Sequence, residues 1–289
     1  MLADFDLAMP ETLDQALAVL SAERALGRDG LMPLAGGTNL VVDLRAGHLE
    51  PRRLVGVQRI PDLDRVEIAD GAVEIGARVT VSDLLHHPEM GRLAPSLVAS
   101  ARVFAGQMVR NTATVAGNVC YGSSAADLVP PLLALDAEVT LASAAGTRTL
   151  ALCDFYTGYK ADRRRADELM TAIRWPVPRG RNLFYKLARR KGDAITVVGI
   201  AVTLAIAGGR CAHVRIALGA VTPYVTRARA AEAMIAGEAP SEALFAAAGA
   251  RAAEEASPID DIRASADYRR HCTAVLVRRL LNDAWQAQA

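Results

Sequence analysis

The stretch of sequence that most constrains the fold runs from Asn111 to Leu135 and reads NTATVAGNVCYGSSAADLVPPLLAL. A β-compatible run, residues 112–115, meets a corner of small residues at Ala116-Gly117. After a polar segment, Asp127 leads into an apolar, helix-like run that ends at residue 135. Small residues at a corner allow a phosphate to approach the backbone closely, because no side chain stands in the way. The stretch therefore predicts a nucleotide-binding turn.

A second corner of the same kind lies upstream, where residues 33–40 read PLAGGTNL. Taken alone, Gly36-Gly37 is typical of an ordinary turn between a strand and a helix. Two glycine corners in one compact chain can instead hold the two ends of one long nucleotide. The sequence has no G-x-G-x-x-G pattern, so the dinucleotide fingerprint of the Rossmann fold is excluded.

Together, AGGTNL and TATVAGNV followed by AADL resemble the FAD-binding subunit of the molybdenum hydroxylases. That family includes the flavoprotein subunits of bacterial carbon monoxide dehydrogenase and the FAD domain of xanthine dehydrogenase. The resemblance extends along essentially the whole chain. One departure is visible, because Ala116 replaces the first glycine of the family's second corner. This replacement is tolerated if residue 116 keeps a negative φ.

The resemblance implies that FAD binds across both corners. Consecutive backbone N–H groups at Gly36-Gly37 would face the pyrophosphate, helped by the N-terminus of a short helix. Asp127 would accept hydrogen bonds from ribityl hydroxyls, and a cation at Lys186 would stabilise the reduced flavin. The residues that the resemblance assigns to the cofactor are Pro33, Leu34, Ala35, Gly36, Gly37, Thr38, Asn39, Leu40, Phe104, Ala105, Thr114, Gly117, Asn118, Cys120, Ala126, Asp127, Met170 and Lys186.

Several of these residues have a simpler structural interpretation. Asp127 precedes an apolar run and is a candidate N-cap. Phe104 and Met170 could be core residues, and Lys186 could be an edge-strand charge. The basic run Arg163–Arg165 is typical of a solvated loop. No catalytic acid, base or nucleophile can be assigned from spacing.

Composition limits the functional classes. A chain of 289 residues with 52% hydrophobic residues and a mean hydropathy of +0.18 indicates a large packed core, yet no apolar run approaches the length of a membrane span. A net charge of +1 argues against a nucleic-acid partner. The acidic N-terminus lacks the flanks of a signal peptide, so we expect a cytoplasmic protein. The four cysteines are widely separated, so any iron–sulfur cluster must lie on another chain.

The predicted fold is α+β. An FAD-binding domain, residues 1–177, comprises a small parallel α/β unit (1–58) and a mixed or antiparallel sheet with helices (59–177). A C-terminal domain, residues 178–289, comprises a three-stranded sheet and a helical bundle. A capping box at Thr12–Gln15 predicts the first helix, which Gly27 and Gly30 end. The turns of three predicted hairpins lie at Asp70-Gly71, Gly146 and Gly208-Gly209.

The functional prediction is an electron-transfer subunit of an oxidoreductase. The resemblance implies a molybdopterin-binding large subunit and a small subunit with two [2Fe–2S] clusters, assembled as a dimer of heterotrimers. Electrons would pass from the clusters through FAD to an external acceptor. A stand-alone FAD-dependent oxidoreductase is the alternative, and a nucleotide-binding module without redox activity is a third possibility.

Overall fold

The computed structural model describes residues 4–25, 30–190 and 192–288. Its first part is a small α/β unit in which three strands pair in parallel in the order β1-β3-β2. The Thr12 hydroxyl accepts the N–H of Gln15 at 3.2 Å, as the predicted capping box requires. The Gln15 side chain, however, accepts the N–H of Glu11 at 2.9 Å instead of that of Thr12, so only half of the capping box is present. Gly27, predicted to end this helix, lies outside the described residues. The elements of this unit are β1 (Asp6–Ala8), α1 (Leu13–Ala25), β2 (Leu31–Leu34), α2 (Leu40–Arg45) and β3 (Arg53–Gly56).

The second part contains a five-stranded antiparallel sheet in the order β4-β5-β10-β6-β7. Asp70 and Gly71 both have positive φ, 51° and 70°, as the predicted two-residue hairpin requires. The elements are β4 (Val66–Ala69), β5 (Ala72–Gly76), α3 (Val81–His86), α4 (Met90–Leu93), α5 (Pro95–Val103), α6 (Gln107–Arg110), α7 (Val115–Tyr121), α8 (Val129–Ala134), β6 (Glu138–Ser143), β7 (Gly146–Ala151), a 3-10 turn (Leu152–Asp154), β8 (Tyr156–Gly158), β9 (Ala161–Asp162) and β10 (Leu169–Pro176).

The β-compatible run over residues 112–115 does not form a strand. Thr114 makes a single β-bridge to Thr80, and α7 begins directly afterwards at Val115. The Thr114 hydroxyl caps this helix by accepting the Gly117 N–H at 3.0 Å. The β-branched residues favour a strand locally, but a capping threonine also favours a helix start, and here the cap prevails. Ala116 lies inside the helix and is absent from the positive-φ residues, so its conformation fits the condition set by the sequence.

The C-terminal part is a four-stranded antiparallel sheet with helices on both faces. The three predicted strands are present, and a two-residue strand, β14, extends the sheet at one edge. Gly208 and Gly209 have φ of 58° and 72° and form the predicted turn. The elements are β11 (Arg181–Ala188), β12 (Thr196–Ala207), β13 (Arg210–Gly219), β14 (Thr226–Arg227), α9 (Arg229–Ile235), α10 (Glu242–Glu255) and α11 (Ala266–Gln286).

Strand β12 is buried on both faces, which explains its nearly continuous apolar sequence. Alternate residues such as Ile200 and Leu204 belong to the core beneath α10 and α11. Ala201 belongs instead to the core of the second part, and the Thr203 hydroxyl donates to Ala134 O, in α8, at 2.5 Å. The C-terminal sheet therefore completes the core on which α8 rests.

Polar contacts also join the second and third parts. The Asn182 side chain accepts the Ser96 N–H at 2.9 Å, at the start of α5, and donates to the Thr203 hydroxyl at 2.8 Å. Asp136, after α8, accepts hydrogen bonds from Arg215 at 2.6 Å and from Arg227 at 3.0 Å. Over residues 4–25, 30–190 and 192–288, no helix combines the length and apolar character needed to cross a lipid bilayer.

Candidate functional site

A cleft with a volume of about 190 Å³ lies between the loop after β2 and the N-terminus of α7. We call residues 33–40 the first glycine segment and residues 112–118 the second glycine segment. The residues predicted from the sequence that line this cleft are Pro33, Leu34, Ala35, Gly36, Gly37, Thr38, Asn39, Leu40, Phe104, Thr114, Gly117, Asn118, Cys120 and Met170.

The two glycine segments meet backbone to backbone at Gly36. A Cβ atom added at Gly36 would lie 2.7 Å from the carbonyl carbon of Thr112 and closer still to its oxygen. Backbone atoms cannot move aside as a flexible side chain can, so this position requires glycine. Gly37 has a different constraint, because its φ of 67° lies in the left-handed region. The Gly-Gly pair therefore fixes both the spacing of the two segments and the entry into α2.

The first glycine segment presents free hydrogen-bond donors to the cleft. Within the part of the chain that the structure describes, the backbone N–H groups of residues 36–39 have no protein acceptor, and the first bond of the turn runs from Val41 N–H to Gly37 O at 2.9 Å. Consecutive unpaired N–H groups at the start of a helix form a concave site that favours an anion. This segment is suited to hold a phosphate or pyrophosphate.

The second glycine segment lies across the cleft and is held by two side chains. The Thr114 hydroxyl accepts the Gly117 N–H, and a Cβ atom at Gly117 would lie 2.7 Å from that hydroxyl. Asn118 Oδ1 accepts the N–H of Leu128 at 3.3 Å, which ties α7 to the start of α8. Gly117 itself is exposed to the cleft. A ligand can therefore contact the backbone of both segments at once.

Apolar side chains form the remaining wall. Phe104 ends α5, and a β-bulge at Thr171 shifts the register of β10 beside Met170. The Cys120 Sγ and Met170 Sδ atoms lie 3.8 Å apart. Burial raises the pKa of the Cys120 thiol, so it stays protonated at neutral pH. This wall offers packing surface rather than a reactive group.

Four predicted residues, Ala105, Ala126, Asp127 and Lys186, are not among those lining the cleft. Asp127 is buried and accepts a hydrogen bond from Lys186 Nζ at 2.7 Å and another from the Thr196 hydroxyl. Lys186 Nζ also lies 3.3 Å from the carbonyl oxygen of Val103, the residue before Phe104. Burial raises the pKa of the Asp127 carboxyl, and the attraction of Lys186 offsets this only in part. Helix α8 starts after Leu128, so Asp127 is not its N-cap.

The cleft also contains polar residues that were not predicted from the sequence, above all Asp43, Tyr121 and Arg164. Tyr121 lies four residues after Gly117 on α7 and therefore on the same face of the helix, so helical spacing could have predicted its position in the cleft. Arg164 belongs to a basic run that is typical of a solvated loop, yet its side chain is only 25% exposed. The other unpredicted lining residues are Met32, Leu49, Val57, Leu63, Ala77, Ala113, Ala116 and Leu169.

Among the described residues, no three His, Cys, Asp or Glu side chains lie close enough together to hold a metal ion. The arrangement instead comprises two backbone segments that suit phosphates, an apolar wall and a polar end. Such a cleft suits a ligand that carries phosphate groups and an apolar ring.

Comparison with known proteins identifies the family of the chain and its cofactor. Residues 3–178 match a family described as the FAD binding domain in molybdopterin dehydrogenase. Residues 183–284 match the CO dehydrogenase flavoprotein C-terminal domain. The chain therefore belongs to the family of FAD-binding subunits of the molybdenum hydroxylases, and the resemblance found in the two glycine segments is confirmed.

Individual relatives span the whole chain. The carbon monoxide dehydrogenase medium chain of Hydrogenophaga pseudoflava is 31% identical, over 97% of each chain. The nicotine 6-hydroxylase medium subunit of Paenarthrobacter nicotinovorans is 30% identical, over 96% of each chain. The solved structure of the Hydrogenophaga pseudoflava carbon monoxide dehydrogenase superposes with a TM-score of 0.94, at 30% identity over 99% of each chain. The predicted α+β fold, FAD cofactor and oxidoreductase class are thereby confirmed.

Proposed function

We propose that the chain holds FAD without a covalent bond, extended across the two glycine segments, and relays electrons. The single observation that carries this proposal is the run of unpaired N–H groups at residues 36–39, opposite the exposed backbone of Gly117. A pyrophosphate supplies the acceptors that these donors lack. FAD supplies the redox chemistry, and the protein supplies binding, orientation and electrostatics.

The proposed cofactor contacts fall into two groups. The fourteen predicted residues that line the cleft would contact FAD directly, through the backbone in the glycine segments and through side chains elsewhere. Asp127 and Lys186 would act at the flavin end, because Lys186 holds the carbonyl of Val103, next to Phe104. Ala105 and Ala126 would contribute by packing or through the backbone. Ala105 has a φ of 35°, which fixes an unusual turn directly after Phe104.

We further propose that electrons arrive from two [2Fe–2S] clusters on a small partner subunit and leave FAD for an external acceptor. A molybdopterin-binding large subunit would carry out the hydroxylation, and the complex would be a cytoplasmic dimer of heterotrimers. Three apolar side chains on the isolated chain support a protein partner: Met108, Ile195 and Ile262 are 86%, 62% and 93% exposed. Within this chain we place the domain boundary between residues 177 and 178, with a subdivision after residue 58.

Purification from the native host tests the assembly. We expect the chain to copurify with two further subunits and to carry flavin, molybdenum and iron, since its own cysteines cannot ligate a cluster. Acid precipitation should release all the flavin as free FAD. A lone yellow protein without metals, fully active on a small molecule, would instead establish a stand-alone oxidoreductase. A colourless protein that does not take up FAD would establish a module without redox activity.

Gly117→Val tests the second glycine segment. The isopropyl group would project into the cleft and press on the Thr114 hydroxyl, so we expect FAD affinity to fall at least tenfold. Loss of the hydrogen bond by which Thr114 caps α7 would lower the free energy of unfolding by about 1 kcal/mol. Thr114→Ala removes the same cap without filling the cleft, so its loss of stability gives the contribution of the cap alone. Equal flavin content in wild type and in folded Gly117→Val would remove Gly117 from the site.

A further inference from the structure

The turn between α5 and α6 carries Phe104, the aromatic residue of the cleft wall. We call residues 102–105 the phenylalanine turn. Helix α5 ends at Val103, so no following turn of helix satisfies its last carbonyl groups. Ala105 then adopts a φ of 35°, a conformation that a residue with a side chain keeps only when its surroundings hold it there. The position of Phe104 therefore depends on the groups that bind this turn.

Two cationic side chains bind the four consecutive carbonyl oxygens of the phenylalanine turn. Arg110 Nη1 donates to the carbonyl oxygens of residues 102, 104 and 105 at 3.3, 3.1 and 3.3 Å. Lys186 Nζ donates to the remaining one, that of Val103, at 3.3 Å. Positive charge at the C-terminal end of a helix is also favoured by the helix dipole. The backbone on both sides of Phe104 is thereby fixed by two separate side chains.

Arg110 is itself held in place. Its Nη2 atom donates to Gln107 Oε1 at 3.2 Å, and the Gln107 amide donates to Asn111 Oδ1 at 2.6 Å. The Ser82 hydroxyl, in α3, donates to the same Asn111 oxygen at 2.6 Å. The Nε atom of Arg110 is buried and has no hydrogen-bond partner in the part of the chain that the structure describes. An unpaired buried donor is unfavourable, so the favourable contacts of this guanidinium are those with Gln107 and with the phenylalanine turn.

Arg110 also lies close to the second glycine segment, which begins two residues later at Thr112. It is the last residue of α6, and the chain enters the segment through Asn111. One side chain therefore connects the aromatic wall of the cleft with a backbone segment that suits a phosphate. Loss of Arg110 could act on a ligand through either of them, and an experiment must distinguish the two.

We propose that Arg110 is a positioning residue for the flavin, and that it acts through the phenylalanine turn by holding the Phe104 ring against the isoalloxazine ring. This inference rests on the proposed FAD site and adds to it the residue that sets the aromatic contact. Aromatic rings attract one another in offset or tilted arrangements, and a ring that is fixed beforehand loses little freedom when the ligand binds. Arg110 does not line the cleft, so its effect on the cofactor is indirect.

A double-mutant cycle between Arg110 and Phe104 tests this role. The full chain, within its complex if it purifies as one, is stripped of flavin and titrated with FAD by calorimetry. We expect Arg110→Met and Phe104→Leu each to raise the Kd for FAD about 10- to 100-fold. The Kd of the double variant should exceed that of Phe104→Leu by less than about threefold, because Arg110 then has no ring to position.

Arg92→Met is the matched control. Arg92 also lies in the last turn of a four-residue helix, α4, and bonds a side chain three residues before it, that of Glu89, at 3.0 Å. Its side chain is 67% exposed, so its removal should leave the Kd for FAD unchanged. The visible absorption and circular dichroism of bound FAD, recorded at saturating cofactor, give a second measurement. Arg110→Met should shift both spectra in the same direction as Phe104→Leu, and Arg92→Met should shift neither.

The outcomes separate a role through Phe104 from a role elsewhere. If Arg110→Met raises the Kd equally with and without Phe104, it acts through the second glycine segment, and the proposed role is overturned while the FAD site stands. An unchanged Kd in Arg110→Met overturns it as well. If Arg110→Met does not fold, Arg110→Lys replaces it, since lysine keeps the charge but not the planar fork, and the same additivity would overturn the role. A wild-type protein that does not bind FAD would instead refute the proposed function itself.

Discussion

Gly36→Ala should abolish flavin binding and lower the melting temperature, although it adds a single methyl group. The new Cβ atom would overlap the Thr112 carbonyl, so the two glycine segments must separate before the side chain fits. Overpacking of this kind costs about 1–3 kcal/mol, and more where only backbone can move. The separation also takes the N–H groups of residues 36–39 away from the opposite wall. Thermal unfolding and the flavin-to-protein absorbance ratio measure the two effects.

Gly91→Ala is the matched control for this substitution. At Gly91 an added Cβ atom meets nothing within 4 Å, and its φ is not in the left-handed region. Gly91 lies within α4, where alanine is favoured over glycine by about 1 kcal/mol, so this variant should be neutral or slightly stabilised. A Gly36→Ala protein with the melting temperature and flavin content of the wild type would show that the segments are not in backbone contact.

Lys186→Met should destabilise the protein by about 3–5 kcal/mol at neutral pH, because it leaves the buried Asp127 carboxylate without its partner. The side chains of Lys186 and Asp127 are only 6% and 9% exposed, so water cannot replace the lost ammonium group. Urea unfolding measures the difference in the free energy of unfolding. Adding Asp127→Asn should recover most of the loss, since the amide needs no counter-charge. A single variant that loses under about 1 kcal/mol would contradict the proposed buried pair.

The stability of the Lys186→Met variant should depend on pH in a defined direction. Burial already raises the pKa of Asp127 in the folded protein, and removal of Lys186 takes away the attraction that opposes this. A carboxyl whose pKa is raised on folding stabilises the protein at low pH, and that stability is lost as the pH rises through the folded pKa. Lys186→Met should therefore lose less stability at pH 5 than at pH 8. The double variant should lack this dependence.

Local sequence patterns predicted the hairpins well because their determinants are local. Asp70-Gly71 and Gly208-Gly209 each adopt two positive φ values, which few residue pairs accept. The run from residue 112 to 115 failed for the opposite reason. Its β-branched residues fit a strand. The start of α7 depends instead on the Thr114 hydroxyl as a cap, and Thr114 also pairs with Thr80, which is distant in sequence.

The candidate site was predictable where backbone atoms line the cleft. Glycine at positions 36 and 37 leaves a visible signature, because the close approach and the positive φ each exclude other residues. Arg164 left no such signature, since an arginine in a basic run is usually exposed. Its position depends on Asp162 two residues away and on the carbonyl of Cys120, which is distant in sequence. Contacts of this kind arise only once the chain has folded.

The contacts of Asn182 and Asp136 restrict how this chain can be recombined with its relatives. The start of α5 and the end of α8 rely on side chains supplied by the C-terminal sheet, through Asn182 and through Arg215 and Arg227. A chimera that exchanges residues 181–288 for those of another family member would keep these contacts only where the incoming segment supplies equivalent side chains. Retention of these few polar pairs is therefore a condition for recombining the two parts of this chain.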